Sequence, residues 1–526
     1  MPAKAGLRPV QMNRAESIID LKEEEFDILI IGGGATGLGA AVDAASRGYK
    51  VGLLEGDDFA KGTSSKSTKL AHGGVRYLQN GDISLVIEAL RERGLLCQNA
   101  PHLVKNLGFV IPSYDWWNSP FYGIGLKIYD LMAGRLGLGP SEMISKDEVL
   151  DKIPNVETKG LRGGVLYHDG QFDDARLAIS LARTANSNGA SLANYCQVTN
   201  LVKEEGHVVG VTAHDTIGNS KFEVRAKAII NCTGVFADDI LQMDNPEAKP
   251  SIRPSQGVHI VLDKSFLPGE EAIMVPHTTD GRVLFAVPWH DVVVVGTTDT
   301  PLNERSNDPV ATKEEIDFIL ENAGHYMAKK PTKKDILSTF AGLRPLAAGG
   351  EEGSTKEVSR HHKVLVSPTG LISVLGGKWT TYRKMGEDAI DNAIIVGALP
   401  PRKCQTENLP IHGFETNADW SDPLHVYGSI RKKIRKRIKR HEEQSLSDKF
   451  ELYPAMIRWA VRKEMAMTLE DMLSRRHRAL LFDAKEARRI APEVATIMAK
   501  HLGKEEDWIE AELAAFDKIS SDYLVT

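Results

Sequence analysis

The segment TKLAHGGVRYL, residues 68–78, places four reactive or charged side chains around a glycine pair. Arginine presents a planar fork suited to phosphate, lysine acts as a compact point charge, and histidine transfers protons near neutral pH. Glycines let a backbone approach a large group closely. The segment therefore predicts contact with a large ligand that carries polar groups. The polar residues are Lys69, His72, Arg76 and Tyr77, and the glycines are Gly73 and Gly74.

Three distant segments offer further groups of the same types: His259 in RPSQGVHIVLD, Arg344 in FAGLRPL and Lys378 in GGKWTTYRK. His259 lies between Val258 and Ile260 in a strand pattern, so spacing alone supports a buried sheet histidine equally well. Arg344 precedes a proline, where a charged residue is poor strand material, and Lys378 follows a glycine pair. For both cations a solvated side chain is the alternative.

The elements that position these groups begin with FDILIIGGGATGLGAAVDAASRGYKVGLLE. Residues 26–31 form an apolar run rich in isoleucine, which predicts a buried parallel strand, and residues 35–47 predict an alanine-rich helix. Between them Gly32, Gly34 and Gly37 form GxGxxG, which allows a tight turn and close approach to a pyrophosphate. The unit is typical of dinucleotide binding.

An acidic residue is also present where such a unit needs one. Residues 50–54 predict the second strand, which ends at Glu55, about 20 residues beyond the glycines. A carboxylate there accepts a hydrogen bond from a ribose hydroxyl and repels a 2′-phosphate. The sequence therefore disfavours NADP and leaves NAD and FAD.

Two later strand ends favour FAD over NAD. Residues 228–231 and 371–375 predict strands that lead into glycines and then into helices. Three such ends predict a sheet assembled from distant segments around one long cofactor, and the hydroxyl-rich loop at residues 62–65 can continue along it. The cofactor residues predicted from these turns and the loop are Gly32, Gly34, Ala35, Thr36, Gly37, Glu55, Thr63, Ser64, Ser65, Thr233, Gly234, Asp238, Gly376, Gly377, Lys378, Trp379 and Thr380.

Composition excludes several classes of protein. The 526 residues, 42% of them hydrophobic, suffice for two or three domains with large cores. The net charge of −6 argues against a nucleic-acid-binding protein. The four scattered cysteines predict free thiols, with neither a disulfide framework nor a metal site. The sequence shows no secretory signal or membrane-spanning segment, so we expect a soluble protein or one that lies on a membrane surface.

Taken together, the motifs resemble the FAD-dependent, quinone-linked glycerol-3-phosphate dehydrogenases. The resemblance rests on IIGGGATGLGAAVDAASRGYKVGLLE, GTSSKSTKLAHGGVRYL, NCTGVFADDI, VVVVGTTDTP, FAGLRPL and GGKWTTYRKMGEDAID, and continues into EMAMTLEDMLSRR. It covers residues 24–400 and 450–515. Residues 1–22 and 407–452 have no clear counterpart in that family.

The resemblance implies an α/β fold with three parts. These are a glutathione-reductase-type FAD-binding domain, an inserted antiparallel substrate-binding sheet and a helical C-terminal domain. On this basis we expect an N-terminal extension at residues 1–23 and a discontinuous FAD-binding domain over 24–400. The substrate-binding insertion is expected around 100–165 and 245–350, and the helical domain over 401–526.

The reaction implied by the resemblance is oxidation of sn-glycerol 3-phosphate to dihydroxyacetone phosphate, with a hydride passed to FAD and electrons to a membrane quinone. A sister group of oxidases passes the electrons to oxygen. Those oxidases carry an extra segment in the substrate-domain half, and no such insertion is evident here, which favours the dehydrogenase. Flavin oxidoreductases of this fold that act on amino acids or 2-hydroxy acids are the other alternative.

The resemblance also implies roles for the charged residues. Hydride removal from C2 requires the C2 hydroxyl to lose its proton, and we favour His259 as the base over His72, which lies in the loop expected to contact the flavin. Arg344 and Lys378 would stabilise the developing alkoxide, the phosphate and the reduced flavin. The expected substrate-binding residues are Arg76, Tyr77, His259, Arg344 and Lys378. The resemblance further implies that Lys69, His72, Gly73, Gly74 and Val198 contact the cofactor.

Two segments are candidate membrane contacts. Residues 430–441, IRKKIRKRIKRH, carry isoleucines on one helical stripe and cations around it, which predicts either a solvated helix or docking on anionic lipid. A second segment carries aromatic residues that predict either a domain core or an interfacial patch. We expect a cytoplasmic homodimer, peripherally associated with the inner face of the cell membrane. The aromatic residues are Trp116, Trp117, Phe121 and Tyr122.

Overall fold

The computed structural model of the chain describes residues 12–74, 82–115, 118–347 and 362–525. The strands in these ranges, numbered β1 to β18, are Glu25–Ile31, Val51–Leu54, Leu70–Ala71, Val104–Ser113, Glu142–Ser145, Gly163–Phe172, Ser191–Ala193, Cys196–Glu204, His207–Asp215, Ser220–Asn231, Ile252–Asp263, Ala272–Val275, Leu284–Trp289, Val292–Gly296, Thr300–Pro301, Ile336–Ala347, Lys363–Val366 and Leu371–Leu375. The α-helices, numbered α1 to α14, are Arg14–Glu23, Ala35–Ser46, Ile83–Asn99, Asn118–Ala133, Lys146–Lys152, Asp174–Ser187, Ala237–Asp244, Lys313–Gly324, Tyr382–Val396, Arg431–Arg440, Pro454–Lys463, Ala479–Phe482, Ala484–Leu502 and Glu506–Ser521.

The first sheet is built around the predicted dinucleotide unit. Strand β1 pairs in parallel with β2 and β10, and the order across the sheet is β17-β18-β10-β1-β2-β7. Ile28 and Ile30 of β1 are buried in the hydrophobic cluster that contains the α2 alanines. Leu29 and Ile31 are buried on the other face, against residues of α1 and β9. Burial on both faces explains the continuous apolar run in the sequence.

The second sheet is almost entirely antiparallel. Its order is β15-β11-β14-β13-β12-β4-β6-β3, with β16 along β11 and β5 along β6. Strands β12 and β4 pair in parallel, and the other recorded pairs of this sheet are antiparallel. Because β3 to β6 and β11 to β16 come from separate stretches of chain, the chain passes between the two sheets more than once. The predicted fold class is confirmed.

The two ends of the chain pack onto this framework. Helix α1 packs against β7 and β10 of the first sheet, and the ion pair between Arg14 and Asp215, at 2.5 Å, fixes it there. At the other end, helices α12 and α13 contact β16. Arg475 and Arg476 reach the buried carboxylate of Asp58, with 2.6 Å between Arg475 Nε and Oδ2. The helical C-terminal region is therefore joined to the first sheet by buried charge.

Candidate active site

A long cleft of about 610 Å³ follows one edge of the first sheet. Strands β18, β10 and β1 are parallel neighbours, so their glycine-marked carboxyl ends meet at this edge. Ligands of open α/β sheets bind at such an edge. The predicted residues that line the long cleft are Gly32, Gly34, Ala35, Thr36, Glu55, Thr63, Ser64, Val198, Thr233, Gly234, Gly376, Gly377, Lys378 and Trp379.

Two glycines of GxGxxG are required for different reasons. Gly32 has φ +105°, and a Cβ there would lie 2.6 Å from the carbonyl oxygen of Cys232. At Gly37 a Cβ would overlap the carbonyl oxygen of Gly32. Gly37 thus lets α2 pack tightly against the turn and does not line the cleft. Gly32 keeps the strand ends close enough together to form the cleft floor.

Glu55 is half-buried and presents its carboxylate to the cleft. Its Oε2 accepts from the backbone N–H of Gly33 at 2.5 Å, and its Oε1 accepts from that of Asp57 at 2.9 Å. Burial raises the pKa of Glu55 to about 7, and the charges of Asp57 and Asp58 add to the rise against these two hydrogen bonds. The carboxylate is suited to receive a ribose hydroxyl.

Two smaller cavities lie beyond the long cleft. The junction cavity, of about 220 Å³, has Thr63 and Trp379 in common with the long cleft. The inner cavity, of about 210 Å³, has His72 and Arg344 in common with the junction cavity. The three openings therefore adjoin one another, from the edge of the first sheet into the second sheet.

His259, on β11, forms part of the junction cavity wall. Its ring stacks on Phe340 with 4.7 Å between centroids, and its Nε2 lies 2.9 Å from Thr68 Oγ1. Its Nδ1 has no hydrogen-bond partner among the described residues. Burial lowers the pKa of His259 well below its ordinary value, and the charges of Lys69 and Arg344 lower it further. The imidazole is therefore neutral and can accept a proton.

Arg344, on β16, is held in a fixed orientation at the wall that separates the junction and inner cavities. Its Nη1 pairs with Asp299 Oδ1 at 3.2 Å, and its Nη2 donates to the Thr298 carbonyl at 2.9 Å and to Thr297 Oγ1 at 3.1 Å. A Cβ at Gly257 would lie 2.5 Å from Nη2, so a glycine on β11 makes room for the guanidinium. An oriented guanidinium suits recognition of a planar or tetrahedral oxyanion.

His72 and Lys378 both line the junction cavity. The backbone N–H of His72 donates to Thr380 Oγ1 at 3.2 Å, and its side chain lines the junction and inner cavities. Lys378 lines the long cleft and the junction cavity, just before the short 3-10 turn Trp379–Thr381. Within that turn the indole N–H of Trp379 donates to the Ser64 carbonyl at 2.8 Å, which joins the third strand end to the hydroxyl-rich loop.

Sequence reasoning missed charged groups in the inner cavity. Arg282 contributes a second guanidinium, which pairs with Asp280 at 2.6 Å. Asp169 is buried, pairs with Arg93 at 2.6 Å and accepts from the Tyr129 hydroxyl at 2.9 Å. Neither residue belongs to a pattern in the sequence, because each reaches the cavity only through the pairing of the second sheet.

The structure corrects the prediction that Lys69 contacts the cofactor. Its ammonium lies outside the long cleft and the junction cavity, in a buried ion pair with Asp174 at 2.7 Å. It also donates to the Ser65 carbonyl at 2.8 Å, so the predicted contact Ser65 likewise takes part in this buried structural network. A lysine between polar residues suggested a ligand contact, whereas burial with an acidic partner gives it a structural role.

Other predicted positions also lie away from the openings or outside the described residues. The Asp238 carboxylate accepts from the backbone N–H of Ser251 at 2.8 Å, and its neighbour Asp239 lines the long cleft instead. At Gly73 a Cβ would lie 2.6 Å from the Tyr129 hydroxyl, so this glycine makes room for the protein's own side chain, whereas Gly74 lines the inner cavity. Arg76 and Tyr77 lie outside the described residues.

Several residues of the long cleft were also missed. Asp57 and Lys61 lie on the same loop as Glu55, so their place in the chain could have indicated them. Asn307 lies in the segment between β15 and α8 and gave no local signal. The missed residues that line the cleft include Asp57, Lys61, Gln197, Phe236, Asp239 and Asn307.

Comparison with known proteins assigns this arrangement to a family. Residues 27–383 match the family described as FAD dependent oxidoreductase, and residues 404–509 match the C-terminal domain of alpha-glycerophosphate oxidase. The mitochondrial glycerol-3-phosphate dehydrogenase of Mesocricetus auratus is 38% identical over 540 residues, which cover 95% of this chain and 73% of that protein. The chain belongs to the FAD-dependent glycerol-3-phosphate dehydrogenase family. The Saccharomyces cerevisiae member is 41% identical over 450 residues, covering 77% of this chain and 69% of that protein.

Solved structures agree with the family and the fold. The glycerol-3-phosphate dehydrogenase of Bacillus halodurans, complexed with FAD, superposes with a TM-score of 0.79 at 27% identity and covers 97% of this chain and 98% of that chain. The L-alpha-glycerophosphate oxidase of Mycoplasma pneumoniae, with FAD bound, has a TM-score of 0.57 at 19% identity over 73% of this chain and 98% of that chain, which shows the fold alone. The cofactor of this chain is FAD.

The residues present fit FAD. The long cleft joins three strand–glycine ends, and the position of Gly32 leaves no room for a Cβ. Glu55 is placed for a ribose, and the hydroxyl-rich loop brings Thr63 and Ser64 to the same wall. The junction cavity continues the cleft as far as His259 and shares Lys378 and Trp379 with it, and these residues would hold the part of the cofactor that accepts a hydride. The chain's own groups would therefore hold the cofactor both in the long cleft and at the junction cavity.

Proposed function

We propose that the chain oxidises sn-glycerol 3-phosphate to dihydroxyacetone phosphate. The observation that carries the proposal is the junction cavity, where a neutral His259 and an oriented Arg344 lie beside a cleft that fits FAD. Arg282 adds a second guanidinium in the adjoining inner cavity, so a phosphate dianion would meet positive charge there. Relatives named glycerol-3-phosphate dehydrogenase support the same substrate.

The protein's own contribution to the reaction is proton transfer and charge stabilisation. When bound, FAD supplies the acceptor for the C2 hydride and the route by which electrons reach a membrane quinone. His259 takes the proton of the C2 hydroxyl, because its neutral imidazole borders the junction cavity. Lys378 stabilises the negative charge that develops on the substrate oxygen, and Arg344 binds the phosphate. His72, which also lines the junction cavity, positions the reacting groups.

The electrostatics at His259 favour a phosphorylated substrate. The pKa of the imidazole is lowered by burial first and then by the charges of Lys69 and Arg344. A phosphate dianion beside Arg344 offsets that positive charge, so the pKa of His259 rises when the substrate binds. A substrate without phosphate leaves the base weak. Glycerol should therefore be oxidised slowly even at concentrations that fill the cavity.

The electron acceptor is tested by one comparison. With glycerol 3-phosphate present, the holoenzyme is assayed for reduction of a soluble quinone analogue and, separately, for hydrogen peroxide formation in air. We expect quinone reduction to exceed peroxide formation by a wide margin. Peroxide formed at the rate of substrate turnover would assign the chain to the oxidases. A 2-hydroxy acid or an amino acid that outcompetes glycerol 3-phosphate would overturn the substrate itself.

We also propose that the protein associates peripherally with the inner face of the cell membrane, where it meets the quinone. No helix within the described ranges is long and apolar enough to cross a membrane. On α10 Ile434 is buried, and Ile430 and Ile438 pack against the core, so the isoleucine stripe faces the protein. Helix α10 can therefore offer anionic lipid only electrostatic attraction. Its exposed lysines are Lys432, Lys433, Lys436 and Lys439.

Helices α3 and α4 offer a second, apolar surface for the same contact. The two helices pack against each other and carry exposed apolar side chains. Of the predicted aromatic residues, Tyr122 is buried in a cluster of the second sheet, while Trp116, Trp117 and the side chain of Phe121 lie outside the described part. The exposed apolar residues of the pair are Ile83, Ile87, Ile128 and Leu131.

Vesicle binding distinguishes the two surfaces. The four exposed lysines of α10 are changed together to glutamate, whereas Arg431 and Arg435 are kept because both pair with Asp422. Wild type should pellet with anionic vesicles at low salt and be partly released at high salt. The variant should pellet less and keep its flavin. Unchanged pelleting would assign α10 to a solvated role and leave the apolar surface of α3 and α4 as the contact.

We also propose that the protein is a homodimer. Light scattering of the purified holoenzyme gives the mass in solution. A mass of two chains is expected, and a mass of one chain across a wide concentration range would contradict the proposal.

A further inference from the structure

Residues 303–308, between β15 and α8, contact one wall of the long cleft through Arg305. Its Nη2 pairs with Asp239 Oδ1 at 2.6 Å, and its guanidinium carbon lies 5.9 Å from the ring centre of Phe236. Asp239 and Phe236 both line the cleft and belong to the segment that follows β10. Arg305 itself is absent from the cleft lining, so it contacts the wall from outside.

The same segment contacts the opposite wall, which is the loop after β2. Asn307 Nδ2 donates to Asp57 Oδ2 at 2.7 Å, and the Asn307 carbonyl accepts from Lys66 Nζ at 2.8 Å. Asp308 pairs with Lys61 at 3.2 Å. Asp57, Lys61 and Asn307 line the cleft. Because β1 lies between β10 and β2, residues 303–308 bridge the cleft from one side of β1 to the other.

These contacts are of a kind that can open. Most of the segment is exposed, and Asn307 is half-buried. The Arg305–Asp239 pair lies at the surface, where an ion pair is individually weak and salt-sensitive, whereas Lys66 and Lys61, which contact Asn307 and Asp308, are buried. The Arg305 end of the bridge can therefore form and break without disturbing either sheet.

We propose that residues 303–308 form a strap that retains FAD in the long cleft. Arg305 is a positioning residue, which slows the departure of FAD by holding the strap to the wall after β10. Because FAD lies beneath a closed strap, its release requires the Arg305–Asp239 and Asn307–Asp57 links to open first. The proposal concerns cofactor retention and does not depend on the substrate or on the electron acceptor.

The test compares two matched arginine variants of the holoenzyme. Arg305→Met removes the strap contact to Asp239. Arg225→Met removes an ion pair of the same length, 2.6 Å to Glu204, which is exposed and distant from the cleft lining. FAD release is followed by the rise in flavin fluorescence after dilution into buffer without FAD. Arg305→Met should release FAD about two- to fivefold faster than wild type, whereas Arg225→Met should match wild type.

Three further readouts separate retention from general stability. Added salt should speed FAD release from wild type and have less effect on Arg305→Met, because the link removed is ionic. Arg305→Lys should restore part of the slow release. The apo forms of wild type and Arg305→Met should melt at the same temperature. FAD release at the wild-type rate from Arg305→Met would overturn the proposal, and so would an equal loss of thermal stability in apo and holo forms.

Discussion

The long cleft and the inner cavity adjoin the same junction cavity, yet they are built in opposite ways. The long cleft is made mainly of backbone at the ends of three neighbouring parallel strands, with glycine wherever the chain passes close. The inner cavity is made of side chains that project from antiparallel strands and their loops, among them Arg282, Asp169 and Arg344. Under the proposed function, the first construction holds the cofactor and the second selects the substrate that reacts with it.

This difference has a practical consequence for mutation. Added volume at a backbone-built site blocks the ligand outright, because no rotamer can relieve a clash with main chain. A truncated side chain in the inner cavity leaves the cofactor in place and changes only which substrate binds and how well. Variants of the two regions should therefore separate into those that lose FAD and those that keep it.

The largest effect is expected from Gly37→Ala. The new methyl group would overlap the Gly32 carbonyl, so α2 must move away from the turn. FAD affinity should fall by roughly a hundredfold or more, and the protein should purify without yellow colour. Gly125→Ala is the matched control, because a Cβ there has nothing within 4 Å. Full flavin content in Gly37→Ala would contradict a backbone-built cleft.

Arg344→Met should act on the substrate and spare the cofactor. Charged hydrogen bonds contribute about 1.5–3 kcal/mol each, so kcat/KM for glycerol 3-phosphate should fall by roughly one to two orders of magnitude. Flavin content, read from the absorbance spectrum, should equal that of wild type. Glycerol turnover, already slow, should change much less. Equal losses on the two substrates would mean that Arg344 serves the hydride step or the flavin and not the phosphate.

FAD affinity should depend on pH through Glu55. Its pKa of about 7 lies above the ordinary 4.5, so in the apo protein it is mostly protonated below pH 7. A ribose hydroxyl that donates to the carboxylate favours the ionised form, so binding releases a proton and affinity rises with pH until it levels off above 7. Between pH 6 and 8 the FAD Kd from calorimetry should fall about tenfold.

Glu55→Gln supplies the control for that titration. The amide cannot ionise, so its FAD affinity should be weaker and nearly independent of pH over the same range. A slope equal to that of wild type would place the titrating group elsewhere. A Kd that rises with pH would contradict the sign of the linkage.

The smallest effect is expected from Arg282→Met. Arg282 is partly exposed and already paired with Asp280, so its contribution to substrate binding is reduced by solvent and by its partner. KM for glycerol 3-phosphate should rise about three- to tenfold with kcat nearly unchanged, and Arg282→Lys should recover part of the loss. Loss of flavin in this variant would show that the inner cavity and the long cleft are not independent.

The two regions also differ in how far the sequence predicted them. Gly32, Gly34, Glu55, Thr233 and Gly376 all line the long cleft, and the sequence could single them out because a strand, a glycine and a helix follow one another in the chain and the physics of the turn is local. Strand β18 was predicted over the same residues that the structure shows, 371–375.

The inner cavity depends on tertiary structure that leaves no local pattern. Arg282 lies in the turn before β13, and Asp169 lies within β6, and only the pairing of the second sheet brings them near Arg344. Lys69 shows the converse error, since its neighbours in sequence suggested a ligand whereas its real partner, Asp174, is more than a hundred residues away. Charged side chains are poorly predicted from sequence because their partners are distant in the chain.

The central claim is that the protein transfers a hydride from glycerol 3-phosphate to FAD. An anaerobic titration tests it most directly. Purified holoenzyme is mixed without oxygen or quinone with glycerol 3-phosphate, glycerol, a 2-hydroxy acid or an amino acid, and the flavin absorbance is recorded. The account predicts that glycerol 3-phosphate bleaches the flavin and yields dihydroxyacetone phosphate in equal amount, while the other compounds leave it oxidised over the same time. Bleaching by a carboxylate compound, with glycerol 3-phosphate inert, would contradict it.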